Sequence, residues 1–326
     1  MNSNSTSNLT FIPQLDFFLG TVSMSCHVIA TPLNLLSFYL FKKQKSSPTF
    51  LVYMLISLTN TWLSIGSFPY TVVMLTGSRD LAFFNNYVFR AVWTVLWEPS
   101  IAFSVFLVLM VTTLRTITIV VKRKITVQKS WVIIATASYA AFIWLEVVVM
   151  SFFGNFTTDE DAIPYLNHDV KLFNLILQIL SFVELAFPVV PLVILTCLTS
   201  STLLKSAQNP GTSNRSAALK KDATVTVITF TVVFIALKLP LFVCFIRWIP
   251  FLVTDYQYDI FGGPNVYLDL YSWPVAYIVL IQVNALTSPL IYLSRMTWFR
   301  AGMVRLVTSA GLSSVTRASN TSCNEN

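Results

Sequence analysis

The sequence predicts an all-α membrane protein: a seven-transmembrane helix bundle with a short amphipathic membrane-surface helix after the seventh span. Three observations carry this. Apolar residues make up 55% of the 326 and charged residues only 11%, against about 25% charged in an ordinary soluble domain. A chain so poor in charge cannot cover a water-facing surface. The apolar residues gather into seven runs, each long enough for the roughly 20 residues that a membrane helix needs. Between the runs, basic residues cluster on alternate loops, the pattern of the positive-inside rule.

The expected spans are 15–41, 49–75, 86–121, 130–153, 172–204, 222–250 and 270–294. Residues 1–14 are polar and uncharged, and lack the basic start and small-residue cleavage site of a signal peptide. They are expected to form an extracellular tail, with the first span as its own uncleaved anchor. The third span is long enough to extend beyond the bilayer. Residues 15–294 thus make the bundle. In 295–307, Phe299, Met303 and Leu306 recur at helical spacing beside Arg295, Arg300 and Arg305. That pattern predicts a helix lying on the inner leaflet; an ordinary polar start to the tail is the alternative. Residues 308–326 are rich in Ser, Thr and Asn and are expected to be a disordered cytoplasmic tail.

Taking the loops alternately, one side holds Lys42, Lys43, Lys45, Lys122, Arg123, Lys124, Lys129, Lys205, Arg215, Lys220, Lys221, Arg295, Arg300, Arg305 and Arg317. The other holds Arg79, Arg90, Lys171 and Arg247. The first side is expected to be cytoplasmic, which puts the N-terminus outside and the C-terminus inside. Sequons at Asn4, Asn8 and Asn155 fall on the outer side, where glycosylation is possible. Those at Asn214 and Asn320 fall inside, where they should go unused. The same distribution argues against nucleic acid as a partner for the net charge of +7, since the basic clusters are short and scattered between apolar runs. Cys26, Cys197 and Cys244 lie within apolar runs and Cys323 in the tail, so no structural disulfide is expected. His27 and His168 are isolated, and no metal spacing or nucleophile motif occurs. No catalytic residue, metal or cofactor is therefore assigned.

Polar and kinking residues inside a bilayer need an account. Asn34, Asn60, Ser104, Asn284 and Ser288 each fall near mid-membrane when counted from the inner boundary at about 1.5 Å per residue. One polar cluster at a common depth would satisfy all five. The plainer alternative is helix–helix hydrogen bonding, worth about 0.6 kcal/mol each. Arg115 lies at the inner end of the third span, in Thr113-Leu114-Arg115-Thr116. Phe234 and Pro240 lie in the sixth, as Phe234-Ile-Ala-Leu-Lys238-Leu-Pro240, and the seventh ends Asn284-Ala-Leu-Thr-Ser288-Pro289-Leu290-Ile291-Tyr292.

In order and placement these residues resemble the rhodopsin-like family of G-protein-coupled receptors over about residues 15–306. Asn34 stands at that family's first-helix asparagine, Asn60 at its second-helix aspartate, Ser104 at its third-helix serine and Arg115 at the arginine of its Asp-Arg-Tyr motif. Phe234 and Pro240 match its sixth-helix Phe…Trp-x-Pro, Ser288-Pro289-x-x-Tyr292 its Asn-Pro-x-x-Tyr, and Trp298-Phe299 its membrane-surface helix. The general style is similar to the divergent chemosensory receptors of molluscs. Leu114 replaces the acid before the arginine, Asn60 the aspartate, and Lys238 the sixth-helix tryptophan. The cysteines of the family's usual disulfide between the third helix and the second outer loop are missing. The resemblance implies a plasma-membrane receptor with an extracellular ligand and a heterotrimeric G protein as partners. Arg115 would then be the coupling residue, with Pro240, Pro289 and Tyr292 in the switch. Independently, Pro240 and Pro289 each remove a backbone donor and kink their helices.

Glu98, Glu146, Glu184 and Lys238 place charges inside apolar spans, at about 2.5–3.5 kcal/mol each if left alone. Lys238 is expected to pair with Glu184 or Glu98 beneath an outward-facing pocket lined by Trp93, Trp97 and Gln282. A structural ion pair that touches no ligand is the alternative. Glu146 is expected to snorkel or face a neighbour. A secondary transporter or channel using these charges is the second functional reading, although no repeat relates the two halves.

Overall fold

The structure is a computed structural model that describes residues 12–44, 47–76, 92–93, 95–120, 127–155, 179, 183, 187–207, 225–237, 264–306 and 308. All regular structure among them is helical. The helices are α1 (Ile12–Lys43), α2 (Pro48–Thr76), α3 (Pro99–Val120), α4 (Lys129–Asn155) and α5 (Val189–Ala207). They continue with α6 (Val225–Leu237), α7 (Pro264–Arg295) and α8, residues 297–306.

Among the described residues, five helices are long and apolar enough to cross a membrane: Phe17–Lys43, Pro48–Thr76, Val95–Val120, Lys129–Val149 and Ile278–Arg295. The apolar α6 and the apolar part of α5, Val189–Thr202, are shorter within the described residues. Both fall inside the fifth and sixth expected spans. The chain is a multi-pass membrane protein.

The distribution of side chains says why. Large apolar groups point outward: Val28, Trp131, Leu145, Phe187 and Val190 are each more than 60% exposed. Polar groups point inward, with Ser37, Ser57, Ser64, Ser67 and Thr71 of α1 and α2 fully buried. Lipid selects this arrangement. It offers no hydrogen bonds, so polar groups must find one another inside.

Helix ends follow local chemistry. Ser47 caps α2, its hydroxyl accepting from the Phe50 amide at 3.3 Å, while Pro48 sits at the first helical position, where no amide is missed. The third expected span was continuous through 98. In the structure, the chain makes a turn at Glu98, and the Ile101 amide reaches only three residues back, to the Glu98 carbonyl at 2.9 Å. Pro99 causes this: it has no N–H and disfavours helical geometry in the residue before it. After α7, the Met296 amide still bonds to the Tyr292 carbonyl at 2.9 Å, and the Phe299 amide then starts α8 by bonding to Met296 at 3.0 Å. Phe299 and Met303 of α8 are buried, whereas Arg300, Val304 and Arg305 are exposed. Gly302 of α8 faces α1, where an added Cβ would meet the far end of Leu40, Cδ2, at 2.9 Å.

α2 is the central element, packed against α1, α3, α4 and α7, while α3 also contacts α4 and α5. α1 and α7 close the same side.

Candidate functional site

Among the described residues, two polar regions lie within the bundle. The first is a seam joining α1, α2 and α7. Ser23 Oγ meets Thr71 Oγ1 at 2.8 Å and Thr31 Oγ1 meets Ser64 Oγ at 2.9 Å, so the two helices run antiparallel through a ladder of hydroxyls. Gln282 of α7 enters between them. Its Nε2 donates to the Ser64 carbonyl at 3.1 Å and to Ser67 Oγ, and its Oε1 accepts from Ser64 Oγ at 2.9 Å. These bonds settle more than Gln282. A carbonyl can only accept, which fixes the amide orientation. Ser64 has one proton and gives it to Oε1. His27 Nδ1 lies 3.0 Å from both the Ser64 carbonyl and Ser64 Oγ. Neither has a proton left to give, so Nδ1 must carry the hydrogen.

Lower in the seam, Asn34 Nδ2 donates to the Ala30 carbonyl at 2.9 Å and to the Ala285 carbonyl at 2.8 Å. Ala285 is four residues before Pro289, the position whose amide would ordinarily serve that carbonyl. Proline has no amide hydrogen. Asn34 therefore fills the vacancy that Pro289 creates in α7. Asn60 Nδ2 donates to Ser288 Oγ at 2.9 Å. Asn284 is also buried. Ser104 does not share this seam through its hydrogen bond; its Oγ donates back to Ile101 of its own helix at 2.6 Å.

The second region is at the end of the bundle where α1, α3 and α7 finish and α2 begins. Lys42, Lys43 and Arg295 mark this end. Tyr292 is fully buried, packed edge-on against Phe41 at 5.0 Å and Tyr53 at 5.4 Å, and stacked with Phe230 of α6 at 6.1 Å. The Tyr53 hydroxyl lies beside Arg115, and the Tyr292 hydroxyl beside Ser57. Yet Tyr53 Oη, Tyr292 Oη and Arg115 Nε are all buried without a hydrogen bond. Such atoms are rare and call for an explanation.

At the opposite end, Trp93 and Trp97 press on α2. Trp93 Nε1 donates to the Gly66 carbonyl at 2.8 Å. Gly66 lets the chains meet: a Cβ there would sit 2.2 Å from Trp97 Cβ. Trp97 is buried, with Nε1 unpartnered. Residues 64–67 of α2 thus touch Gln282 on one side and both tryptophans on the other. Glu98 is half-buried. Glu146 is 6% exposed, so it faces inward rather than snorkelling. Glu184, Lys238 and Pro240 lie outside the described residues, as do Asn4, Asn8 and the expected Lys238 pairing. Asn155 is the last residue of α4.

With this geometry in hand, known proteins can be set beside it. No family model matches the chain, and no curated sequence does. Among solved structures, it superposes on the crystal structure of squid rhodopsin with a TM-score of 0.64 and 15% identity, over 91% of this chain and 87% of that one. The fold is rhodopsin-like. At that identity the likeness concerns the path of the helices, and what the residues do must come from their own chemistry.

His27, Ser64, Ser67 and Tyr53 were not singled out from the sequence. A signal for the three in α2 existed. Tyr53, Ser57, Asn60, Ser64, Ser67 and Thr71 recur every three or four residues along α2, a polar stripe down one face of an apolar helix.

Proposed function

We propose that this chain is a seven-transmembrane G-protein-coupled receptor. It binds an extracellular ligand between helices and activates a heterotrimeric G protein at its cytoplasmic face. The observation that carries this reading is the position of Arg115. A half-buried guanidinium stands at the basic end of a rhodopsin-like bundle, beside the Tyr53 hydroxyl of α2, whose buried ring packs on Tyr292 of α7. An Arg115 Nε buried without a hydrogen bond is poised for a partner that supplies one.

The remaining spans complete the bundle through α5 and α6, and the excess of Lys and Arg puts the Arg115 end in the cytoplasm of the plasma membrane. The N-terminus is then extracellular, with Asn4, Asn8 and Asn155 available for glycosylation, and the C-terminus is inside. Trp93, Trp97, Glu98 and Gln282, joined by Glu184 and Lys238, line the ligand site. Aromatic rings with acids and one lysine suit a chemosensory, peptide or small-molecule ligand. Pro240, Pro289 and Tyr292 belong to the switch, because a kinked helix can pivot about its missing hydrogen bond.

The test is guanine-nucleotide exchange on a panel of heterotrimeric G proteins, with the chain in lipid nanodiscs. Wild type should accelerate exchange on at least one, and Arg115→Ala should lower that rate by about tenfold or more, the effect of losing a strong charge-assisted contact. Solute or ion flux without exchange on any G protein would favour the transporter or channel reading instead.

A further inference from the structure

We infer that Tyr53 is a positioning residue that holds Arg115 in the resting arrangement, and that its hydroxyl is the group Arg115 leaves on activation. This rests on the receptor reading above.

The inference starts from an unmet need. A guanidinium has five N–H donors and no acceptor, and burial away from water makes each unmet donor costly. Among the described residues no carboxylate forms an ion pair with Arg115, and its chain neighbour Leu114 is apolar and buried. The acceptor beside it is the Tyr53 hydroxyl. That oxygen is fixed in place. The Tyr53 ring is 1% exposed and is stacked on Phe41 at 5.4 Å, with Tyr292 edge-on at the same distance. Tyr53 Oη and Arg115 Nε are both buried and both outside hydrogen-bonding geometry. The pair is adjacent but weakly made, which suits a contact that must break. Its release is coupled to α6 through the rings: Phe230 of α6 stacks on Tyr292, and Tyr292 packs on Tyr53. A shift of α6 therefore loosens the wall that keeps Tyr53 against Arg115.

The test uses the full chain in nanodiscs without ligand, reading basal nucleotide exchange on the G protein that wild type activates. Tyr53→Phe keeps the ring and its stacking but removes the hydroxyl. It should raise basal exchange about twofold to fivefold, the population shift from losing a polar contact weaker than a full hydrogen bond. Thr61→Val removes a buried hydroxyl of the same helix that donates to its own backbone at Ser57, and should produce no such rise. Tyr53→Phe should also produce none when combined with Arg115→Gln. Unchanged or lower exchange in Tyr53→Phe at wild-type melting temperature overturns the inference, as does a rise that persists with Arg115→Gln. If wild type and every variant are inert on all G proteins at equal yield and stability, the receptor reading itself fails and takes this inference with it.

Discussion

Asn34 and Pro289 make a prediction that couples two helices distant in sequence. The Ala285 carbonyl loses its helical partner because residue 289 is proline, and Asn34 Nδ2 supplies the replacement at 2.8 Å. Asn34→Ala should leave that carbonyl bare in an apolar interior, which costs about 1–3 kcal/mol. Two effects reduce the loss. Asn34 Oδ1 is buried without a partner, so its removal is a gain, and interhelical hydrogen bonds in membranes average only about 0.6 kcal/mol with a ceiling near 1.7. The expected net cost is about 1 kcal/mol. Pro289→Ala restores an amide that can reach Ala285, so in that background Asn34→Ala should cost less than about 0.5 kcal/mol. The assay is a double-mutant cycle of unfolding free energies in detergent or nanodiscs. Equal costs in the two backgrounds would refute the idea that Asn34 repairs the proline gap.

Two glycines should respond in opposite ways to alanine. At Gly66 the added Cβ meets the rigid Cβ of Trp97 at 2.2 Å, and the Trp93 hydrogen bond to this backbone must also lengthen. Gly66→Ala should lower stability by roughly 2 kcal/mol despite alanine's better helix propensity. At Gly302 the obstacle is the far end of Leu40, which can rotate, so Gly302→Ala should leave the melting temperature unchanged or raise it; a larger fall there than at Gly66 would count against the packing described. Asn60→Leu removes the bond to Ser288 and should cost about 0.5–1.5 kcal/mol in the same unfolding assay, with Ser288→Ala adding little to it.

Much of the fold could be read from the sequence because lipid leaves the backbone few choices. A span of twenty apolar residues must satisfy its own amides, so it is a helix whatever else it does. The path of the chain through α1, α2, α4 and α7 follows from that alone. Partner choice is different. Ser104 and Asn60 sit at similar depth by residue count, yet Ser104 bonds to its own helix and Asn60 crosses to α7. Depth fixes one coordinate, and rotation about the helix axis decides which neighbour a side chain meets. Glu146 shows the same limit: a carboxylate in a span can snorkel or turn inward, and only helix packing decides that it is buried. His27 was passed over because a lone histidine has no spacing to read. Its role is set by Ser64 and Gln282, which lie 37 and 255 residues further along the chain.

The uneven spread of hydrogen bonds suggests which part of the bundle moves. Among the described residues, α1, α2 and α7 are tied by Ser23 to Thr71, Thr31 to Ser64, Asn34 to Ala285, Asn60 to Ser288 and the amide of Gln282. By contrast, α3 is tied to α6 through Thr112 and Thr231, at 3.0 Å, and to α5 through Thr116 and Thr199, at 2.9 Å. Threonine hydroxyls also bond to their own helix: Thr112, Thr116 and Thr231 can each donate to the carbonyl four residues back. When α5 or α6 slides away, these hydroxyls keep a partner, and no polar atom is stranded in the apolar interior. Separating α1, α2 and α7 would strand the Ala285 carbonyl and both ends of Gln282. The cost of motion is therefore low where the bridging groups have a fallback and high where they do not. That asymmetry puts the costlier separations at the seam, with Tyr292, which touches Phe41, Tyr53 and Phe230, between the seam and α6.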